Sequence, residues 1–437
     1  MTARTATAVI DSLAIGGSGV CRIDGKVCFV PYSCPGDEIR LEVVSDRRSF
    51  SQGRVLEIIT PSRSRIVPRC PVAGRCGGCS WQHVEYSCQL AEKRRMFADA
   101  LWRGGRVEGD RISGVVPSPL QYGYRGRIQF KLHWDGGRLQ MGFYRTGSHY
   151  VIDAPDGCPV ALPVINEAAG QLRRLLQQFP GRDRIPQVNV ECGDEGAVAV
   201  VNYIGSDVGA VSRFLDEGRG MLPALSGFWL QTGRKSTMSR IWGDDRLCYG
   251  MPLEDGGEVS LAFAPGGFSQ VNAVQNRQLL EVIRRMGAFR RGDAVLDLYC
   301  GNGNFSVPLA ASAGEVTGVE SYEGSIAMAR ANAARNRISA AEFVCCDAGE
   351  WVNSAADGGR HFDLVLLDPP RSGAAGVIDG IARLRPRSVI YVSCDPSTLA
   401  RDCGILAGRG YRVAESVPVD MFPQTAHLES VTLFTTP

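Results

Sequence analysis

No apolar run in this 437-residue chain approaches the length a bilayer span needs. The opening Met-Thr-Ala-Arg-Thr-Ala-Thr-Ala-Val-Ile has no signal-peptide apolar region, so a cytoplasmic protein is expected. An excess of charge of one sign is missing too. A formal net charge of +2 leaves no global field from which to name a partner. Two phosphate-binding patterns are begun and not completed. Gly16-Gly17-Ser18-Gly19 has no Lys-Ser/Thr and no following helix, so it reads as a flexible loop. Gly301-Asn-Gly303-Asn-Phe-Ser306 has serine where a dinucleotide loop would carry its third glycine.

What is present is a chain long enough for two to four domains, with 44% hydrophobic residues to build cores. Fifteen cysteines are many for a compartment in which disulfides are not expected, so metal or catalysis is the first reading of any thiol cluster. One cluster stands out: Cys70-Pro-Val-Ala-Gly-Arg-Cys76-Gly-Gly-Cys79. Its Cys-x5-Cys-x2-Cys spacing lacks the paired knuckles and histidines of common zinc sites, and it favours three corners of an iron–sulfur cluster over zinc. Cys158, followed by proline in a tight loop, is the expected fourth ligand; Cys88, opening a helical segment, is the weaker candidate. The other thiols, such as Cys192, Cys248, Cys345 and Cys346, read as structural.

The N-terminal 60 or so residues alternate as short strands (9–13, 26–31, 38–44, 53–59) separated by glycine- and aspartate-rich turns, the pattern of a small OB-like barrel. An amphipathic helix is expected over 87–104, with Leu90, Met96, Phe97 and Leu101 inward, Lys93, Arg94 and Arg95 outward, and Gly104-Gly105 ending it. Tyr122-Gly-Tyr-Arg-Gly-Arg-Ile-Gln-Phe-Lys131 reads as a strand mixing aromatics with arginines. Such a strand suits single-stranded RNA, and it equally suits an edge strand with core aromatics. Strands and one helix (162–179) continue to about 265. From about 266 the pattern is β–α alternation, with strands near 294–300, 315–320, 342–347, 362–368, 388–394, 411–419 and 430–435 and helices at 272–285 and 326–336: a doubly wound α/β domain.

Four acids stand at or near the strand ends of that domain: Asp297, Glu320, Asp347 and Asp368. With a glycine loop too short for a pyrophosphate, they favour S-adenosylmethionine over a dinucleotide. The run Val389–Val392 ends in Ser393-Cys394-Asp395-Pro396, where proline stops the strand and leaves the thiol on a turn facing the crevice. A thiol there is a candidate nucleophile, and Glu429, before the last strand, is a candidate general base.

Together these stretches resemble the RNA uracil-5 methyltransferase family, in its iron–sulfur branch. The resemblance rests on Phe268-Ser-Gln270-Val-Asn272, Asp297-Leu-Tyr-Cys-Gly-Asn-Gly-Asn-Phe305, Asp368-Pro-Pro-Arg371, Ser393-Cys394-Asp-Pro396 and His427-Leu-Glu429. It covers essentially the whole chain. It implies a Rossmann-like class I methyltransferase domain at 266–437, a TRAM-type barrel at 1–62, and a β-rich central domain at 63–265 with Cys70, Cys76, Cys79 and Cys158 on a [4Fe–4S] cluster. It implies Cys394 as nucleophile, Glu429 as base, and Gln270, Tyr299, Asn304, Glu320, Asp347 and Asp368 around the methyl donor. The implied substrate is a uridine of 23S rRNA, with tRNA as the alternative, and the expected state is a monomer away from membranes. Asp395 departs from the pattern, since asparagine is frequent there, and it is expected to raise the thiol pKa somewhat. Two rivals are weaker. A radical enzyme would want Cys-x3-Cys-x2-Cys. A non-catalytic iron–sulfur RNA-binding protein would not need Gln270, Cys394 and Glu429 together.

Overall fold

The structure, a computed structural model, describes residues 4–233 and 237–436. Residues Thr5–Thr60 form a six-stranded sheet in which Thr5–Val9, Glu38–Asp46, Ser51–Thr60, Lys26–Val30, Gly19–Ile23 and Ser12–Leu13 lie side by side in that order. Alternation along Glu38–Asp46 turns Ile39 and Leu41 inward onto Ile10, Val30 and the cross-strand partners Cys21 and Cys28. Those two thiols fill the core of the sheet. The Gly16–Gly19 loop is pinned: Trp81 Nε1 donates to the Gly17 carbonyl at 3.0 Å, and a Cβ on Gly17 would stand 2.7 Å from Ser80.

The amphipathic helix runs Tyr86–Gly105 and buries Met96, Phe97 and Leu101. One expectation about it fails. Lys93 faces inward and is fully buried, 2.5 Å from Asp420. Gly104 and Gly105 end the helix as expected, being its last two residues, and the left-handed Arg106 caps it. The glycines are there for contact: a Cβ on Gly104 would sit 2.8 Å from Ala400, and one on Gly105 2.8 Å from Cys403. They let this helix press onto helix Pro396–Ala407, which follows Cys394.

A central seven-stranded sheet, from Met238–Gly243 at one edge to Val151–Asp153 at the other, packs its apolar face on helices Pro163–Leu176 and Val208–Glu217. The second of these helices lies in the stretch read only as strands. The strand expected over 122–131 begins at Arg127, and Tyr124 is buried with its hydroxyl donating to the Pro423 carbonyl. Strands Leu247–Pro252 and Glu258–Phe263 pair with each other and share a core with helix Ala273–Gly287.

The C-terminal sheet has the order Ala341–Cys345, Glu315–Glu320, Ala294–Leu298, Leu364–Leu367, Ser388–Ser393, Glu429–Thr435, Arg412–Val419. The first five strands are parallel, and Glu429–Thr435 runs antiparallel to both its neighbours. In a parallel sheet all carboxyl ends open on one crevice. Because the reversed strand starts where its neighbour stops, Ser430 pairs with Ser393, and Glu429 arrives beside Cys394. Among the described residues no helix is long and apolar enough to cross a membrane.

Candidate functional site

The crevice opens into a cavity of about 1050 Å³, lined by Cys394, Glu429, the expected donor contacts from Gln270 to Asp368 and the four expected cluster thiols, whereas Asp297 and the weaker ligand candidate Cys88 lie outside it. The loop after Ala294–Leu298 turns through left-handed residues Tyr299, Gly301 and Gly303, with φ of 65°, 55° and 83°. Tyr299 holds an uncommon conformation for a residue with a Cβ. A buried amide network fixes it from behind. Asn304 and Asn276 exchange bonds of 2.8 and 3.0 Å, Tyr249 donates to Asn304 Oδ1 at 2.9 Å, and Asn332 donates to the Asn302 carbonyl at 3.0 Å. The Asn304 side chain is therefore committed to holding the loop. Asn276, Asn332 and Tyr249 escaped sequence reasoning because an isolated amide on a helix carries no motif.

The neighbouring acids are each held by their own strand end. Glu320 accepts from the Tyr322 amide at 2.8 Å, and Asp347 caps helix Ala348–Asp357 by accepting from Gly349 and Glu350 at 2.8 and 3.1 Å. Asp297, inside its strand, is buried, accepts from Ser306 and keeps Oδ1 unpartnered; burial pushes its carboxyl up to about 7. Burial does the same to Asp368, also to about 7.

On the other side stand Cys394 and Glu429. Burial first, then Glu429 and Asp368, push the thiol up to about 11, while Arg371 pulls it down. Glu429 is 6% exposed. Burial and Asp368 hold its carboxyl well above the usual carboxylate range, again against Arg371. Arg371 is thus the cation that offsets both shifts; the sequence offered it only as part of Asp-Pro-Pro-Arg. Asp395 does not act as expected. Its carboxylate accepts from the Ser397 and Thr398 amides at 2.8 and 3.0 Å, capping helix Pro396–Ala407, and the acids that raise the thiol are Glu429 and Asp368. His427 lines the same cavity, its imidazole held below the usual histidine range by burial and by the charges of Arg371, Lys93 and Arg125.

A thiol at about 11 reacts through its minor ionised form. Alkylation of Cys394, followed on its own peptide by mass spectrometry, should speed up about tenfold per pH unit from neutral pH towards 11. Asp368→Asn should shift that rise to lower pH. A plateau already at about pH 8, near a free thiol, would contradict the electrostatics described.

Cys70, Cys76, Cys79 and Cys158 also line the cavity. Burial, with smaller contributions from the neighbouring thiols, pushes Cys76 to about 11 and Cys79 to about 12, and burial raises Cys158. The Gly78 amide donates to Cys76 Sγ at 3.4 Å. These thiols do not meet around one ion: among the described residues no three His, Cys, Asp or Glu side chains are grouped closely enough to hold a metal ion. Cys88 is not among the residues lining the cavity; it packs near Cys34, in the loop between Lys26–Val30 and Glu38–Asp46, and both thiols are free.

A family model described as tRNA (Uracil-5-)-methyltransferase matches residues 252–436. A protein of Alkalilimnicola ehrlichii named 23S rRNA (uracil(1939)-C(5))-methyltransferase RlmD is 38% identical, over 97% of this chain and 95% of its own. One of the same name from Alcanivorax borkumensis is 34% identical, over 98% and 96%. Among solved structures, the Pyrococcus abyssi tRNA (uracil-54, C5)-methyltransferase in complex with S-adenosyl-L-homocysteine superposes with a TM-score of 0.77 at 27% identity, over 98% of this chain and all of that one. The C-terminal domain accordingly has the class I methyltransferase fold. With full-length relatives at this identity, the chain belongs to the RNA uracil-5 methyltransferase family.

Proposed function

We propose that the protein methylates carbon 5 of a uridine in 23S rRNA, through a covalent bond from Cys394 to carbon 6 of the base. The observation that carries the mechanism is the meeting of Cys394 and Glu429 at the ends of adjacent antiparallel strands, in the cavity that the glycine loop also lines. S-adenosylmethionine, bound at that loop, supplies an electrophilic methyl group. Gln270, Tyr299, Glu320, Asp347 and Asp368 hold it, and Asn304 acts by keeping the loop in shape. The target base leaves its stack to enter the cavity.

Carbon 5 of uracil is too weak a nucleophile to take a methyl group unaided. Cys394, having lost its proton, adds to carbon 6 and pushes an electron pair into an enolate. Carbon 5 then takes the methyl, and the electrons of the broken C–S bond leave with the donor. Glu429 removes the carbon 5 proton, the 5,6 double bond re-forms and the thiolate departs. Raised basicity suits Glu429 to that step, and Arg371 limits the cost of charging either group. The protein is read as acting as a monomer. The six-stranded N-terminal sheet is read as a TRAM-type RNA grip.

The four thiols are read as ligands of a [4Fe–4S] cluster. The donor set fits: all sulfur, partly buried, with an amide donating to Cys76. A cluster is wider than a single ion, so its thiolates need not converge on one point. When bound it would tie the Cys70–Cys79 segment to the Cys158 loop. Anaerobically purified protein should contain iron and acid-labile sulfide, both lost in Cys79→Ser; zinc in their place would refute this assignment.

The substrate is tested with labelled donor and two RNAs, a 23S rRNA transcript and a tRNA transcript, followed by mapping of 5-methyluridine. Label in 23S rRNA alone is expected. Label in tRNA alone would favour the second reading, which the full-length likeness to a tRNA enzyme keeps in view. No 5-methyluridine in either would point to a non-catalytic RNA-binding role.

A further inference from the structure

The connection 420–428 delivers His427 and Glu429 to the cavity, yet it is held by residues from far upstream in the chain. Lys93 Nζ donates to Asp420 Oδ1 at 2.5 Å and to the Phe422 carbonyl at 3.1 Å. Tyr86 donates its hydroxyl proton to Asp420 Oδ2 at 2.8 Å. Gln89 and Gln424 exchange two bonds of 3.0 Å, side chain to side chain and backbone amide to side chain. The Trp81 amide donates to the Gln424 carbonyl at 3.0 Å, and the Ala426 amide donates to Ser80 Oγ at 3.2 Å. Gln424 itself is left-handed, with φ of 69°, a conformation that persists only where its surroundings over-determine it.

Lys93 and Asp420 are both wholly inaccessible to solvent. A buried ion pair is a poor way to gain stability, because desolvation consumes most of the attraction, but it tolerates little displacement of either partner. Cys394 is anchored differently, by its own strand and by the helix that Asp395 caps. The Gly104–Ala400 contact with that helix lies about three helical turns from Lys93.

We propose that Lys93 and Gln89 are positioning residues that hold the 420–428 connection, and with it Glu429, against the reacting base. The proposal rests on the reading of Glu429 as the base. Slackening the connection then slows the removal of the carbon 5 proton while leaving addition of Cys394 in place. A residue needed only for folding would slow both steps together.

The test compares the full-length variants Lys93→Met, the charge-free pair Lys93→Met/Asp420→Asn, and Gln89→Leu with Glu429→Gln and the parent protein. Covalent capture by 5-fluorouracil RNA reports addition, and covalent capture by ordinary substrate RNA with donor reports stalled proton removal. The expected result is a turnover loss approaching about 10²-fold, the cost of a misplacement near 1 Å, with 5-fluorouracil capture close to parental and ordinary RNA trapped as in Glu429→Gln. If Lys93→Met does not fold, the charge-free pair and Gln89→Leu carry the comparison. Parallel loss of capture and turnover, or no trapped RNA in these variants while Glu429→Gln traps it, overturns the proposal. If Glu429→Gln itself traps nothing, the base assignment fails, and the proposal with it.

Discussion

Cys394→Ala is expected to abolish the covalent complex with 5-fluorouracil RNA and to take methyl transfer below detection. Without the adduct at carbon 6 no enolate forms, and carbon 5 cannot take the methyl at a measurable rate. The loss is that of an entire covalent route, larger than the effect of removing a proton-transfer group. Alanine removes a partly buried sulfur from a strand end whose backbone is fixed by pairing with Glu429–Thr435 and by the Asp395 cap, so the fold should survive. Donor binding, proposed to rest on the glycine loop and the strand-end acids and not on the thiol, should be unchanged when measured calorimetrically. A variant that still captures 5-fluorouracil RNA would show that one of the other fourteen thiols is the nucleophile.

Glu429→Gln should lower turnover by about 10²–10⁴-fold, the usual worth of a positioned general base. The sign of a second observation matters more than the size of the first. Addition and methyl transfer precede proton removal, so this variant should accumulate methylated RNA attached to Cys394, visible as a mobility shift that Cys394→Ala prevents. Glutamine keeps the shape of the side chain. It also removes a carboxyl that raises the Cys394 pKa, so alkylation of the thiol should become somewhat faster at neutral pH. Loss of turnover with no trapped RNA would assign the proton to another group, of which Asp368, lining the same cavity and acting on Glu429 through its charge, is the next candidate.

How much of this was legible in the sequence depended on whether the signal was local. The turn at Cys394 could be read because a β-branched run, a cysteine and a proline stand within a few residues of one another. The acids at the strand ends were legible for the same reason. The reversal of the last strand was not, because strand direction is decided by sheet packing, and this reversal is what sets Glu429 against Cys394. Lys93 was misread because helical periodicity assigns a charge to the solvent face unless its partner is known, and its partner lies at 420. Gly104 and Gly105 were read correctly as a helix end, but their second role, close contact with helix Pro396–Ala407, shows only when that helix is placed against them. Asn304 carried a recognisable motif position, but its bonds to Asn276 and Tyr249 depend on elements that only the fold brings together.

The pairing of Ser393 with Ser430 also makes the site depend on parity. Side chains alternate along a strand, so advancing the last strand by one residue would present Leu428 or Ser430 where Glu429 now stands and turn the carboxyl to the opposite face. Insertions of even and odd length at the start of that strand therefore have unequal consequences. A two-residue shift restores the facing of side chains along the strand, whereas a single-residue shift inverts it. Length variants in this stretch should thus segregate by whether the count is odd, irrespective of how well each one folds.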